Sequence, residues 1–178
     1  NVTNMYFMFN RATLFNQNIG DWNVGKATNM MAMFSETAHF NQNIGNWNVR
    51  NVTNMIWMFS EASEFNQNIG GWDVGNVTDM NLMFDRAFDF DQNIGNWDVS
   101  NVTNMTDMFE GVTLSTANYD ALLNGWSSLT LQNGVTFSWG NSKYCDGQAA
   151  RENMINTFGW NITDGGLGCP IEPADYFI

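Results

Sequence analysis

His39 is the sole histidine of the sequence, and it is where any acid–base or nucleophilic centre would have to begin. A Ser/His/Asp or Cys/His arrangement needs a base beside a nucleophile. No such set assembles here except around that one residue, whose place is taken by Leu14, Glu64 and Asp89 at equivalent positions. Asp89 and Asp91 have the residue types for paired-carboxylate chemistry, but an acidic pair is more simply a solvated surface. The 12 methionines carry thioethers, which bind soft copper. Methionine is also the adaptable filler of irregular cores, and core packing is the reading adopted. Cys145 and Cys169 lack the close spacing and histidine partners of a reactive pair or half a zinc site. They are expected to form a structural disulfide, which implies an oxidising, extracellular setting. Asp85, Asp89 and Asp91 cluster enough to admit calcium, although no EF-hand or nonapeptide calcium motif occurs, and no other cofactor is expected. The residues point to a chain that is not an enzyme.

These side chains sit in a strict repeat. Met5, Met30, Met55, Met80 and Met105 are 25 residues apart, as are Met8, Met33, Met58, Met83 and Met108. Phe9, Phe34, Phe59, Phe84 and Phe109 keep the same interval, as do Trp22, Trp47, Trp72 and Trp97. Ile19 and Val24 recur with them, at Ile44, Ile69 and Ile94 and at Val49, Val74 and Val99. Such a period marks a stacked array, in which one unit cannot cover its own apolar face and the next unit does. Met30, Met33 and Phe34 fall at i, i+3 and i+4, which predicts a short helix capped by Thr28 or Asn29. Trp47 and Val49 alternate, which predicts a short strand with its apolar side inward. The expected fold is an α/β solenoid: a leucine-rich-repeat-like stack of short helix plus short parallel strand units, closed by an α/β C-terminal cap.

The polar part of the pattern is periodic too. Asn16-Gln17-Asn18 recurs at Asn41, Asn66 and, with an aspartate, at Asp91. Stacked amides can satisfy backbone groups at a turn in successive units, which is preferred over a ligand-binding ladder. Asn-Val-Thr at Asn1, Asn51, Asn76 and Asn101, and Asn161-Ile162-Thr163, fit the glycosylation sequon. They are taken as by-products of the repeat.

Residues 1–112 are expected to hold four to five repeats, residues 113–169 a capping unit with the Cys145–Cys169 disulfide, and residues 170–178 a linker or the start of another module. Within the cap, Ser115 or Thr116 can start a helix running to Trp126. A strand is expected at Gly134–Ser138, and a second helix from about Asp146 to Phe158 with Ala149, Ala150, Met154 and Phe158 facing in. A final strand is expected at Trp160–Thr163. The sequence opens inside a repeat, so it is expected to be part of a longer protein.

The formal charge is −12, and the six basic residues, Arg11, Lys26, Arg50, Arg86, Lys143 and Arg151, are scattered. Nucleic-acid binding needs clustered Lys/Arg, so that class is set aside. No apolar run reaches the ~18 residues of a membrane span, and no membrane insertion is expected.

The units, such as Phe65-Asn66-Gln67-Asn68-Ile69-Gly70-Gly71-Trp72-Asp73-Val74, resemble the BspA-like leucine-rich-repeat surface proteins of bacteria. The likeness covers positions 1–109 and continues at Tyr119-Asp120-Ala121-Leu122-Leu123 and Gly140-Asn141-Ser142-Lys143-Tyr144-Cys145. It implies a large secreted or cell-surface protein and a role in adhesion, and it carries over no binding residues.

If Ile, Trp and Val point inward, the residues between them line an exposed face: Asp21, Asn23, Asn46, Asn48, Asp73, Asn96 and Asp98. Four strands ~4.8 Å apart and ~20 Å long span about 400 Å², half of what a standard interface takes from each partner. The expected function is weak multivalent binding by a non-catalytic module, with a host or matrix protein, a glycan or neighbouring modules of the same protein as partner. The alternative is a purely structural spacer or filament-forming module that projects other domains.

Overall fold

The computed structural model describes residues 2–138 and 140–169. The expected linker over 170–178 and the sequon at Asn1 lie outside the described residues. Within the repeats, neither the expected helix nor the expected strand forms. Each unit is instead a run of turns, and the reason lies in how its N–H groups are shared.

In the second unit the N–H groups of Met30, Ala32, Phe34 and Glu36 donate to the carbonyls of Asn54, Ile56, Met58 and Ser60 in the next, at 2.7–3.0 Å. The intervening N–H groups close local turns, Met33 to the Met30 carbonyl, Ser35 to Ala32 and Thr37 to Phe34. No N–H in this stretch is left for an i→i−4 helix bond. Alternation of this kind requires left-handed backbone, found at Ala32 and Glu36 with φ of 52° and 58° and at the equivalent Trp57, Glu61, Leu82 and Arg86. A left-handed residue with a side chain costs roughly 1–2 kcal/mol. The same residues donate the ladder bonds, which offset that strain. Parallel bridges Asn4–Asn29, Asn29–Asn54, Asn54–Asp79 and Asp79–Asn104 carry the register through the stack.

The segment expected as a strand spends its backbone locally. Trp47 N–H donates to the Ile44 carbonyl and Val52 N–H to Val49. Its inward side is nonetheless as the alternation implies: Ile44, Trp47 and Val49 are buried. Each buried indole N–H finds an acceptor in the preceding unit, Trp47 to the Ile19 carbonyl, Trp72 to Ile44 and Trp97 to Ile69, all at 3.1 Å. That donor explains tryptophan where a phenylalanine would fill much the same space.

The core consists of columns along the stack. Phe34, Phe59 and Phe84 lie 5.5–5.6 Å apart between units, and each stacks on a partner within its own unit, Phe40, Phe65 and Phe90, at 4.0–4.1 Å. Met30, Met33, Met55, Met58, Met80, Met83, Met105 and Met108 are fully buried beside them. Gly45 is demanded by the closeness of the units, since a Cβ there would meet the Asn68 carbonyl oxygen at 2.5 Å.

After Val112 the pattern changes to α1 (Thr116–Ser127), β1 (Thr136–Ser138), α2 (Gln148–Phe158) and β2 (Asn161–Thr163). Ser115 caps α1, its side chain accepting from Asn118 N–H. Along α1, Trp126 inherits the indole's place and donates to the Ile94 carbonyl at 3.2 Å. β1 continues the ladder: Met105 bridges Phe137 in parallel and Phe109 N–H donates to Ser138, while β2 pairs in parallel with β1. In α2, Ala150 and Met154 face in and Phe158 packs partly buried, but Ala149 is exposed, one position round the helix from the inward row. Cys145 and Cys169 are disulfide-bonded with a Cα–Cα distance of 4.7 Å.

Candidate functional site

Asp21, Asn23, Asn46, Asn48, Asp73, Asn96 and Asp98 are all exposed, but on turns rather than on a sheet. Four of them hold the turns. Asn23 accepts from Gly25 N–H at 3.2 Å, Asn48 from Arg50 at 3.3 Å, Asp73 from Gly75 at 3.3 Å and Asp98 from Ser100 at 3.0 Å. These are Asx turns, which is why Asn and Asp recur there. Asn23 and Asn48 share a shallow depression with Val2 and Lys26, whereas Asn96 lines a separate one with Gln92 and Asn118. The seven residues therefore form a periodic edge and not one enclosed site.

The amides of the Asn-Gln-Asn link are consumed between units. Asn41 Oδ1 accepts from Asn66 N–H at 3.0 Å and from the Gln67 side chain at 2.8 Å. Asn16 and Asn66 do the same for their successors, and Asp91 completes the series by accepting from Ser115 and Asn118 of the cap. The sequon residues Asn51, Asn76 and Asn101 each donate a side-chain N–H to a carbonyl of the preceding unit at 2.7 Å.

The residues with chemistry in their side chains are dispersed. His39 lies against Glu64 at 2.6 Å, both half exposed. Asp85 accepts from Ser60 Oγ at 3.2 Å, and burial raises its carboxyl above the ordinary value. Among the described residues no three His, Cys, Asp or Glu side chains converge on a place where they could hold a metal ion. No described helix is long and apolar enough to cross a membrane.

A buried polar cluster in the cap went unread in the sequence. Tyr119 Oη donates to Asp164 at 2.7 Å, and Arg151 Nε donates to the same carboxylate at 2.6 Å. Burial, then the hydrogen bond and charge of Asp164, push the Tyr119 phenol far above its ordinary range, so it stays protonated. Burial works against the Arg151 charge, but the hydrogen bond and charge of Asp164 prevail and hold its pKa above the usual value. Asp120, also buried, accepts from the N–H groups of Cys145, Asp146 and Gly147 at 2.8–3.0 Å. It thereby fixes the entry to α2 and the first cysteine. Both arrangements lock the cap.

A groove of about 350 Å³ lies over the ladder, where the sequence pattern predicts a helix. Phe7 and Trp57, 42% and 39% exposed, line it two units apart, with Ala32 at the equivalent place between them. Ser35 and Ser60 lie deeper, each 8% exposed. Arg11, Glu36 and Glu61 provide its charged lining. The signal for this groove is in the repeat itself: the column Phe7, Ala32, Trp57, Leu82 and Asp107 varies while the Met and Phe columns that follow it hold constant, because stacking does not dictate it.

Residues 3–126 match the model of a family described as "Mycoplasma protein of unknown function, DUF285". The match takes in the repeats and α1 as far as Trp126. No curated protein matches the chain, and no solved structure does.

Proposed function

The chain belongs to this bacterial repeat family, and from that premise we propose that it is a non-catalytic module of a large secreted or cell-surface protein, of the BspA-like leucine-rich-repeat kind, and adheres by weak multivalent binding. Its stack is read as a leucine-rich-repeat-like solenoid, with the disulfide-bearing cap ending it. What supports the reading is the repetition of exposed polar side chains in register, one small set per unit. A disulfide is stable in oxidising compartments, which accords with an extracellular place. Weak contacts that are each too small to hold a partner gain strength when linked in one chain.

The test is an array of glycans and matrix proteins probed with one module beside a tandem of several, with and without calcium. Asp21, Asn46 and Asn96 are the residues to change together to alanine, because they are not among the residues seen holding turns. The reading expects binding by the tandem that exceeds the single module and falls in the triple variant. Equal absence of binding by both forms would favour the second reading, a structural spacer, which the continuous inter-unit ladder also supports.

A further inference from the structure

We propose that the groove between Phe7 and Trp57 is a binding site for one neutral pyranose ring. The inference rests on the binding role proposed above and gives it a place and a ligand class. Three observations carry it.

The first is a buried hydroxyl without a partner. Ser35 is 8% exposed and lines the groove, and its side chain makes no hydrogen bond among the described residues. Polar groups at such depth are normally satisfied. The equivalent Ser60 shows the ordinary solution, donating to Asp85 at 3.2 Å. Ser35 has Ser60, with no carboxylate, in the corresponding place of the next unit, so a ligand hydroxyl is free to take that role.

The second is the width. Phe7 and Trp57 stand two units apart, roughly 10 Å at ~4.8 Å per unit. A saturated ring touching an aromatic on each side needs contacts of about 4–4.5 Å to either. Ala32, at the equivalent place of the unit between, has the smallest side chain in its column and is fully buried, so it sends no side chain into that interval.

The third is the charge balance, which decides against a cation. Glu36 is paired with Arg11 at 3.0 Å and Glu61 with Arg86 at 3.1 Å. Each carboxylate is thus neutralised by a guanidinium already, leaving hydrogen-bonding capacity without net charge. Neutral hydroxyls set between two aromatic side chains match that lining.

The experiment is a titration of the intact chain with methyl glycosides of glucose, galactose, mannose and N-acetylglucosamine, followed by the indole and amide N–H resonances. The Trp57 indole is assigned by its disappearance in Trp57→Ala. At least one glycoside is expected to shift the Trp57 indole and the Ser35 amide together and saturably. Affinity is expected to fall about tenfold or more in Trp57→Ala, the loss of one ring contact, and also to weaken in Ser35→Ala. Unfolding midpoints of both variants serve as the folding control, and Phe7→Ala, at the first unit, is a second probe of the same slot. Shifts of Trp57 by tetramethylammonium but by no glycoside would overturn the sugar assignment in favour of a cation. Silence toward all of these probes would overturn the site. A tandem that still binds its array target after Trp57→Ala in every copy would remove the groove from adhesion yet leave the adhesive reading standing. Glycoside binding by a module whose tandem binds no array target would uphold the groove and sink the multivalent reading instead.

Discussion

Replacing Trp72 by alanine tests the principle of the stack at its centre. Trp72 is 3% exposed, lies 6.3 Å from Phe59 and 6.4 Å from Trp97, and donates its indole N–H to the Ile44 carbonyl at 3.1 Å. Removing a buried aromatic of this kind costs about 3–5 kcal/mol through lost burial and the cavity left behind. The lost indole hydrogen bond adds only about 0.5–1.5 kcal/mol, because the Ile44 carbonyl keeps the Trp47 N–H as a donor at 3.0 Å. Trp72→Phe isolates that second contribution, keeping most of the ring while removing the donor, and is expected to cost about 1 kcal/mol. Trp22 supplies the internal contrast: it is 42% exposed at the first unit and meets Phe9 at 5.7 Å. Its alanine variant is expected to cost only about 1 kcal/mol, in proportion to its smaller burial. Urea unfolding, followed by far-ultraviolet circular dichroism and by fluorescence, gives all three values if the slope against denaturant is unchanged. The corresponding drop in midpoint temperature for Trp72→Ala is roughly 6–20 °C. Equal losses at Trp22 and Trp72 would refute the inward column. A Trp72→Phe variant as stable as the parent would refute the hydrogen-bond reason for tryptophan.

Breaking the Cys145–Cys169 link, which closes a 24-residue separation, is expected to cost about 3 kcal/mol by chain entropy. Hydrogen exchange of the Cys145→Ser/Cys169→Ser double variant should show the loss in α2 and β2, with the central repeats unaffected. Asp85 has its folded pKa raised by burial, so the folded state holds the proton more tightly than the unfolded chain. Its contribution is therefore best at low pH and declines as pH rises from about 4, the unfolded value, through the folded one. Asp85→Asn is expected to remove this decline and to match or exceed parent stability at pH 7, read by urea midpoints at both pH values. Asp107 is left-handed with φ 53°, so Asp107→Gly should stabilise by about 1 kcal/mol, while Gly111→Ala, at φ 77°, should destabilise by roughly 1–2 kcal/mol. Thermal midpoints moving in the same direction for the two would sink that account.

The sequence by itself determined the unit, its 25-residue register and which side chains point inward. Burial is a property of residue type repeated in phase, and Ile44, Trp47, Val49, Met30, Met33 and Phe34 had no other way to leave water together. The cap was legible for the same reason, since α1, α2 and both short strands carry local capping and alternation signals. The backbone path inside the unit was not legible. An i, i+3, i+4 row of apolar residues fits a helical turn, and it equally fits a chain that turns left-handed at Ala32 and Glu36 and sends alternate N–H groups to its neighbour. Only the neighbouring unit, supplying acceptors at 2.7–3.0 Å along the whole stretch, decides between them. The same decision moved the candidate site. With the ladder on the Met-Phe half, the polar turn residues became an edge, and Phe7, Ser35 and Trp57 came to line a groove that no single unit contains. Partnership between residues 25 apart or more, as in Asp120 holding the Cys145 turn, belongs to the stacked structure because no local pattern encodes it.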